Sequence, residues 1–221
     1  MENALIVVAK EPVPGRTKTR LCPPFTSESA AEFYCCLLLD TLALMARLEV
    51  ADRTVAYTPD SARGFFEHLV PNGFRLVPQR GVDLGERLAN ALAHHFDLGY
   101  RRTVIMNSDG PTLPQACLEE AFSGLDAADV TLGLSHDGGY YLIGMKQLHP
   151  DLFQGIDWST EQVIPQTLAI CRRLGLAVHR LPTWFDVDVE ADLERLAGDL
   201  ARDPTPAPRT WAFLQSWGGK T

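Results

Sequence analysis

The chain has 221 residues, of which 46% are hydrophobic and 22% are charged, so it is large enough to bury the core of a globular domain. Its net charge of -8 argues against a nucleic-acid or membrane partner, because proteins with such partners usually carry a basic surface. The sequence shows neither an apolar run of membrane-spanning length nor a signal-peptide pattern. Its five cysteines are odd in number and form no Cys-x-x-Cys pair, which favours reduced thiols and a cytoplasmic protein.

Strand-like and helix-like segments alternate from one end of the chain to the other. The predicted strands are residues 4–9, 53–57, 73–77, 102–107, 129–134, 139–145 and 177–181. The predicted helices are residues 27–48, 61–69, 83–96, 159–174 and 189–200, with another that starts at residue 112. This alternation is typical of an α/β sandwich with a mostly parallel sheet, and the closely spaced strands 129–134 and 139–145 predict a local antiparallel pair.

We expect one domain over residues 1–202, followed by a C-terminal tail over residues 203–221. The tail begins with several prolines, which predict irregular structure. Its aromatic residues Trp211, Phe213 and Trp217 are expected to pack against the body of the domain.

The first strand ends in a basic loop that contains two prolines and a glycine. Lys10 closes the strand, and Arg16, Lys18 and Arg20 follow at every second position. In an extended segment these three side chains would lie on one side, where they suit the phosphates of a nucleotide. The loop has neither the Walker A nor the G-x-G-x-x-G spacing, so side-chain cations would bind the phosphates. The structural alternative is a solvated loop with scattered charges.

Three carboxylates follow other predicted strands. Asp109 comes directly after an apolar strand and suits a Mg²⁺ ion that also binds phosphate oxygens, although Asp-Gly is also common in turns. Asp186 and Asp188 are two residues apart, and either could complete the metal site. Asp188 has a structural alternative, because it is well placed to be the N-cap of the last predicted helix. Thr112 is expected to cap the helix that follows Asp109.

The remaining candidates are substrate contacts. Asp137, Gly138, Gly139 and Tyr140 form a turn and the start of a strand, and the glycines would allow a ligand to approach closely. Gln79 and Gly81 precede a helix and could contact a base or ribose, while Trp158 is expected to contact an acceptor or to pack as an ordinary aromatic. The sequence contains no nucleophile elbow and no His-Glu-x-x-His motif.

Five of these segments together resemble one known family. They are Ala-Lys-Glu-Pro-Val-Pro-Gly-Arg-Thr-Lys-Thr-Arg-Leu (9–21), Asp-Leu-Gly-Glu-Arg (83–87), Ser-Asp-Gly-Pro-Thr-Leu (108–113), Asp-Gly-Gly-Tyr-Tyr-Leu-Ile-Gly (137–144) and Asp-Val-Asp (186–188). They resemble the bacterial DUF2064 proteins of the nucleotide-diphospho-sugar transferase superfamily, which are often labelled glycosyltransferase-like, and are similar to phospholactate guanylyltransferase. The resemblance implies the GT-A fold, a three-layer α/β/α sandwich with a mixed, mostly parallel sheet.

The resemblance also implies where the ligands bind. It places phosphates at the four cations of the basic loop and a divalent metal, Mg²⁺ or Mn²⁺, at Asp109 with Asp186 or Asp188. Two departures are clear: the loop is more proline-rich and basic than in sugar-activating enzymes, and Asp109 stands alone where glycosyltransferases of this fold have Asp-x-Asp.

Three functions remain open. In nucleotidyl transfer, a phosphorylated acceptor attacks the α-phosphate of a nucleoside triphosphate, and Arg16, Lys18 and Arg20 offset the charge of the leaving pyrophosphate, with the metal at Asp109. The alternatives are glycosyl transfer from a nucleotide-sugar, with Asp137 or an acid near Trp158 as the base, and nucleotide binding without catalysis. The partners would be a nucleotide and a small acceptor, in a monomer or a homodimer.

Overall fold

The structure is a computed structural model that describes residues 2–218, so the last three residues of the expected tail lie outside the described part. The strands are β1 (Asn3–Lys10), β2 (Asp52–Thr58), β3 (Phe74–Pro78), β4 (Arg102–Met106), β5 (Val130–Ser135), β6 (Tyr140–Met145) and β7 (Val178–Trp184). The α-helices are α1 (Ser27–Ala46), α2 (Arg63–Leu69), α3 (Leu84–Asp97), α4 (Gln115–Ser123), α5 (Val163–Leu174), α6 (Glu190–Arg202) and α7 (Pro208–Gly218).

All seven strands form one sheet in the order β3-β2-β1-β4-β6-β5-β7. Every neighbouring pair is parallel except the two pairs that involve β6, which runs antiparallel between β4 and β5. The predicted α/β fold with a mixed, mostly parallel sheet is therefore confirmed. Because β6 runs the other way, its first residues lie at the same edge of the sheet as the last residues of β4.

Helices cover both faces of the sheet, which makes the three layers. Successive residues of β1 point to opposite faces, as the period of a strand requires. Leu5 and Val7 are buried with residues of α1, α2 and α4, whereas Ile6 is buried with residues of α3 and α5.

The C-terminal tail differs from the prediction, because residues 208–218 form α7 rather than irregular structure. Pro208 is the first residue of this helix, a position where its fixed φ suits the start and its missing N–H is not needed. The expected docking of the tail is confirmed: Trp211, Phe213 and Trp217 pack into an apolar cluster with α1 and α6. The ring centroid of Phe25 lies 4.7 Å from the ring centroid of Trp217 and 5.6 Å from that of Phe213.

Helix α1 is long and apolar enough to cross a membrane by length and composition, which the sequence reading did not expect. However, 61% of this stretch is buried inside the protein, where it packs between the sheet and α7. The core helix of a globular protein passes the same test, so α1 adds no support for a membrane partner.

Two helix caps are absent: the expected cap at Thr112 and the cap at Asp188 that was the alternative to its metal role. Helix α4 begins at Gln115, and its N-cap is Pro114, whose backbone is extended. Thr112 therefore does not cap this helix. At α6 the N-cap is Val189, and the Asp192 carboxylate accepts hydrogen bonds from two backbone N–H groups there. The side chain of Asp188 is therefore not used for capping.

A buried carboxylate joins α7 to the body of the domain. The side chain of Asp40 in α1 is 0% exposed and accepts hydrogen bonds from the backbone N–H groups of Arg209 and Thr210 and from the Thr210 hydroxyl. These N–H groups belong to the first turn of α7, which lacks partners within the helix and is favourable for negative charge. Asp40 therefore caps α7 from another helix.

Replacement of Asp40 by alanine should lower the free energy of unfolding by about 2–4 kcal/mol, because the buried donors of α7 lose a charged acceptor. Chemical denaturation followed by tryptophan fluorescence measures this change. Asp60→Ala is the matched control, since Asp60 is exposed and forms an ion pair with the exposed Arg80. Equal losses for the two variants would contradict the capping role of Asp40.

Candidate functional site

The predicted site residues gather around one cavity of about 510 Å³, a volume in the range of small-molecule sites. The cavity lies beyond the carboxyl ends of β1 and β4, where the chain order reverses and ligands of open α/β sheets bind. The predicted residues that line it are Lys10, Arg16, Lys18, Arg20, Gln79, Asp109, Asp137, Gly139, Tyr140, Trp158, Asp186 and Asp188.

Gly81 and Gly138 do not line the cavity, and both have a packing role instead. Each has a positive φ, 138° at Gly81 and 90° at Gly138, which favours glycine. A Cβ at Gly81 would lie 2.6 Å from the Cβ of Glu86, and one at Gly138 would lie 2.5 Å from the Cα of Glu161. These glycines let the loops approach α3 and the segment before α5, and so shape the rim of the cavity.

The basic loop is compact rather than extended, which corrects the expectation that Arg16, Lys18 and Arg20 lie on one side of it. Thr17 is buried, and its hydroxyl accepts a hydrogen bond from the Val13 N–H and donates one to the carbonyl oxygen of Glu11. Lys10 Nζ donates to the carbonyl oxygen of Arg16. Lys18 has a φ of 50° and begins a short 3₁₀ turn. As a result its side chain turns inward, away from the exposed side chains of Arg16 and Arg20 that border the same cavity.

Lys18 joins two of the predicted carboxylates. Its Nζ lies 2.5 Å from Asp109 Oδ2 and 2.6 Å from Asp188 Oδ1, and its side chain is only 5% exposed. Burial alone would lower the pKa of Lys18, but the attraction of Asp109 and Asp188 is larger in sum and raises it. The same ion pair holds the pKa of Asp188 below its ordinary value, against the opposing effect of burial. Lys18 is therefore a fixed positive charge at the centre of the site.

Asp186 is the third predicted carboxylate and lies in a different environment. Burial, followed by repulsion from Asp109, raises its pKa to about 7. Its Oδ1 atom is buried and has no hydrogen-bond partner among the described residues. An acceptor of this kind is costly to bury, so the site is suited to a ligand that offers a cation or a hydrogen-bond donor.

The chemistry of these groups fits a divalent cation, because Mg²⁺ and Mn²⁺ prefer carboxylate oxygens and one such oxygen is unpartnered here. Their arrangement is not preassembled: over residues 2–218, no three acidic, histidine or cysteine side chains are already grouped to hold a metal ion. Two of the predicted carboxylates, Asp109 and Asp188, instead contact the Lys18 ammonium.

Tyr34 is a site residue that sequence reasoning missed. It lies in the apolar pattern of α1, but its hydroxyl is 2.7 Å from Ser108 Oγ and accepts a hydrogen bond from the backbone N–H of Lys10. Burial, and then the charge of Asp109, raises the pKa of Tyr34 to about 12. Tyr34 thus ties the end of β1 to the segment after β4. No local pattern marks it, because its partners are distant in sequence.

The other side of the cavity has an aromatic wall. Tyr140 and Trp158 meet edge to face with ring centroids 6.2 Å apart, and the Tyr140 hydroxyl is buried without a partner among the described residues. Tyr141 points to the opposite face and donates its hydroxyl to the carbonyl oxygen of Pro182, so the expected alternation of the two tyrosines is present.

The segment that carries Trp158 is strained rather than helical. Ser159 has a φ of 64°, and α5 begins only at Val163, so the predicted helix start at Ser159 is wrong. Lys18 and Ser159 are the two non-glycine residues with positive φ among residues 2–218, and both line the cavity. Backbone strain of this kind concentrates at functional sites.

Gln79 directly follows β3 and lines the same cavity. Its amide nitrogen donates to the carbonyl oxygens of Ala9 and Ala56 at the ends of β1 and β2. This orientation fixes the side chain and leaves its oxygen as the atom available to a ligand.

Comparison with known proteins finds related chains of the same fold. A crystal structure from Desulfovibrio desulfuricans G20, described as a candidate nucleotide-diphospho-sugar transferase, is 36% identical with a TM-score of 0.91, over 98% of this chain and 95% of that chain. A CMP:2-keto-3-deoxy-manno-octonic acid synthetase complexed with CTP is 12% identical with a TM-score of 0.58, over 92% of this chain and 100% of that chain. Rv0371C from Mycobacterium tuberculosis H37Rv, in complex with manganese, is 17% identical with a TM-score of 0.52, over 89% of this chain and 98% of that chain. The last two show the fold alone.

The fold therefore places the chain among the nucleotide-diphospho-sugar transferases, as the resemblance implied. More narrowly, the chain belongs to the family described as "Uncharacterized protein conserved in bacteria (DUF2064)", whose profile matches residues 41–160. No curated protein sequence matches the chain. The family and the fold together group the chain with enzymes that transfer groups from nucleotides.

Gly85→Ala tests whether α3 positions the aromatic wall. A Cβ at Gly85 would lie 2.4 Å from the carbonyl oxygen of Phe153 and 2.9 Å from Trp158 Nε1. The variant should lose about 1–3 kcal/mol of unfolding free energy and shift the tryptophan emission, although alanine is the better helix former. Gly198→Ala in α6 is the control: nothing lies within 4 Å of its Cβ, so it should gain about 0.5–1 kcal/mol. Stabilisation by both substitutions would contradict the packing.

Proposed function

We propose that the protein is a metal-dependent nucleotidyltransferase that joins a nucleoside monophosphate from a nucleoside triphosphate to a phosphorylated small acceptor. One observation carries this proposal: the four cations of the basic loop and the three carboxylates line a single cavity. Cations suit a polyphosphate and carboxylates suit its metal ion. The relatives with nucleotide in their descriptions support the proposal through their fold.

The chain's own residues would act mainly by charge and position. An oxygen of the acceptor phosphate attacks the α-phosphorus, the bond from that phosphorus to the bridging oxygen breaks, and pyrophosphate leaves with the electron pair. Arg16 and Arg20 are exposed on the cavity and would bind the β- and γ-phosphates, which offsets the charge of the leaving group. Lys10 would act more indirectly, because its ammonium holds the carbonyl oxygen of Arg16.

Asp109, with Asp186 or Asp188, would hold Mg²⁺ or Mn²⁺, which neutralises charge on the reacting phosphate when bound. The manganese in one structure of this fold supports a divalent metal. The buried tyrosine Tyr34 would keep Ser108 and the end of β1 in register beside these carboxylates. This scheme asks for no protein nucleophile, which agrees with the absence of such a motif from the sequence.

The rim opposite the basic loop would bind the acceptor. Tyr140 and Trp158 offer an apolar wall, Asp137 is exposed beside them, and its carboxylate accepts from the Gly139 N–H. Aromatic walls also suit sugar rings, and this observation favours a second function, glycosyl transfer from a nucleotide-sugar to an acceptor, with Asp137 as the base. A nucleotide-sugar has two phosphates, fewer than the three cations Arg16, Lys18 and Arg20 that line the cavity, so the triphosphate is the better fit.

The choice between these functions can be measured by ligand-induced thermal shift. Nucleoside triphosphates with Mg²⁺ or Mn²⁺ should raise the melting temperature, EDTA should abolish the shift, and nucleotide-sugars should give less. Arg16→Ala should weaken triphosphate binding about tenfold or more while changing monophosphate binding less, because the monophosphate lacks the outer phosphates.

Pyrophosphate release with candidate phosphorylated acceptors then tests catalysis, and Asp109→Asn should abolish it. Stronger stabilisation by a nucleotide-sugar than by every triphosphate would replace nucleotidyl transfer with glycosyl transfer. Binding of triphosphate without turnover of any acceptor tried would favour a nucleotide-binding role. No shift with any nucleotide would contradict all three functions.

A further inference from the structure

The Lys18 ammonium lies at the position that a divalent cation would take. It contacts Asp109 and Asp188 at 2.5 and 2.6 Å, and these carboxylates come from opposite ends of the chain. Magnesium binds oxygen at about 2.1 Å, so an ion at the same point needs each carboxylate oxygen only about half an ångström closer. The geometry therefore suits either cation.

The two cations cannot use these oxygens together. An ammonium and a metal ion at the same pair would repel each other at short range in a site where the lysine side chain is 5% exposed. Entry of a metal therefore requires the ammonium to leave. Lysine without its carboxylates would remain largely buried and unpaired, which is strongly unfavourable unless another anion replaces them.

A bound polyphosphate is such an anion. Arg16 and Arg20 line the same cavity as Lys18, so phosphates bound to the two arginines would occupy the cavity that the lysine side chain also borders. Lysine carries its charge on a flexible four-carbon chain and binds phosphate as a compact charge. We expect the ammonium to exchange carboxylates for phosphates by rotation of its side chain.

We propose that Lys18 and a divalent cation are alternative occupants of the Asp109–Asp188 pair, so that the site excludes free metal and admits metal together with a polyphosphate. This inference rests on the proposed function for the identity of the polyphosphate. It assigns Lys18 a role in the free protein, as the cation that holds the carboxylates in place before the ligand arrives. Metal and nucleotide then favour each other's binding through this one side chain.

Binding of Mn²⁺ alone, without nucleotide, tests the exchange. The free ion is quantified by its electron paramagnetic resonance signal in titrations of the full chain. Lys18→Met, which keeps the length of the side chain and removes its charge, should bind Mn²⁺ about tenfold or more tightly than the unmodified protein. Arg16→Ala should leave Mn²⁺ affinity within about twofold, because it removes a cation from the same loop that pairs with none of the described carboxylates.

Melting temperature gives a second readout that reports on folding. Lys18→Met should melt lower than the unmodified protein, because two carboxylates lose their partner, and Mn²⁺ should restore more of its stability than it adds to the unmodified protein. Lys18→Ala gives the same comparison if the methionine side chain disturbs the packing.

The outcomes separate this inference from the proposed function. Equal Mn²⁺ affinity in the unmodified protein and both Lys18 variants would overturn the inference, and so would an equal gain in Arg16→Ala, which would show a general charge effect. Either result would leave the proposed function standing if triphosphate with metal still stabilises the protein. A gain confined to the Lys18 variants, in a protein that no nucleotide stabilises, would support the exchange and contradict the proposed nucleotide.

Discussion

The contact on which the site depends is the ion pair of the buried Lys18 side chain with Asp109 and Asp188. It links three segments that follow different strands: the loop after β1, the turn after β4 and the chain after β7. Without a cation between them, the two carboxylates would repel each other. One lysine from the loop after β1 therefore neutralises carboxylates that follow two other strands.

The strand order explains why so many separate motifs reach this one place. Parallel strands bring the ends of β1, β2, β3 and β4 to a single edge, and the reversal of β6 adds the start of that strand to the same edge. The segments after β1, β4 and β7 supply the charged groups, and the start of β6 and the segment before α5 supply the aromatic wall. The cavity is thus lined by both charged and aromatic side chains.

Much of this arrangement could be predicted from the sequence, because apolar runs ended by charged loops mark the strands of an α/β sheet. The fold and the convergence of the motifs depend on such local patterns. The inward turn of Lys18 could not be predicted, since its partners are 91 and 170 residues away. Tyr34 was hidden for the same reason, and α7 was obscured by its prolines and by its cap, Asp40, which lies 170 residues from Thr210.

Helix α1 has a consequence for how much of the chain the site needs. The same helix carries Asp40, which holds α7, and Tyr34, which holds the end of β1 beside Ser108, less than two turns apart. A truncation before Pro208 would bare the rings of Phe25 and Phe33 and leave a buried charge on α1 without its donors. Such a shortened chain would be prone to aggregation. Because α1 carries both Asp40 and Tyr34, a shift of this helix would also disturb the cavity.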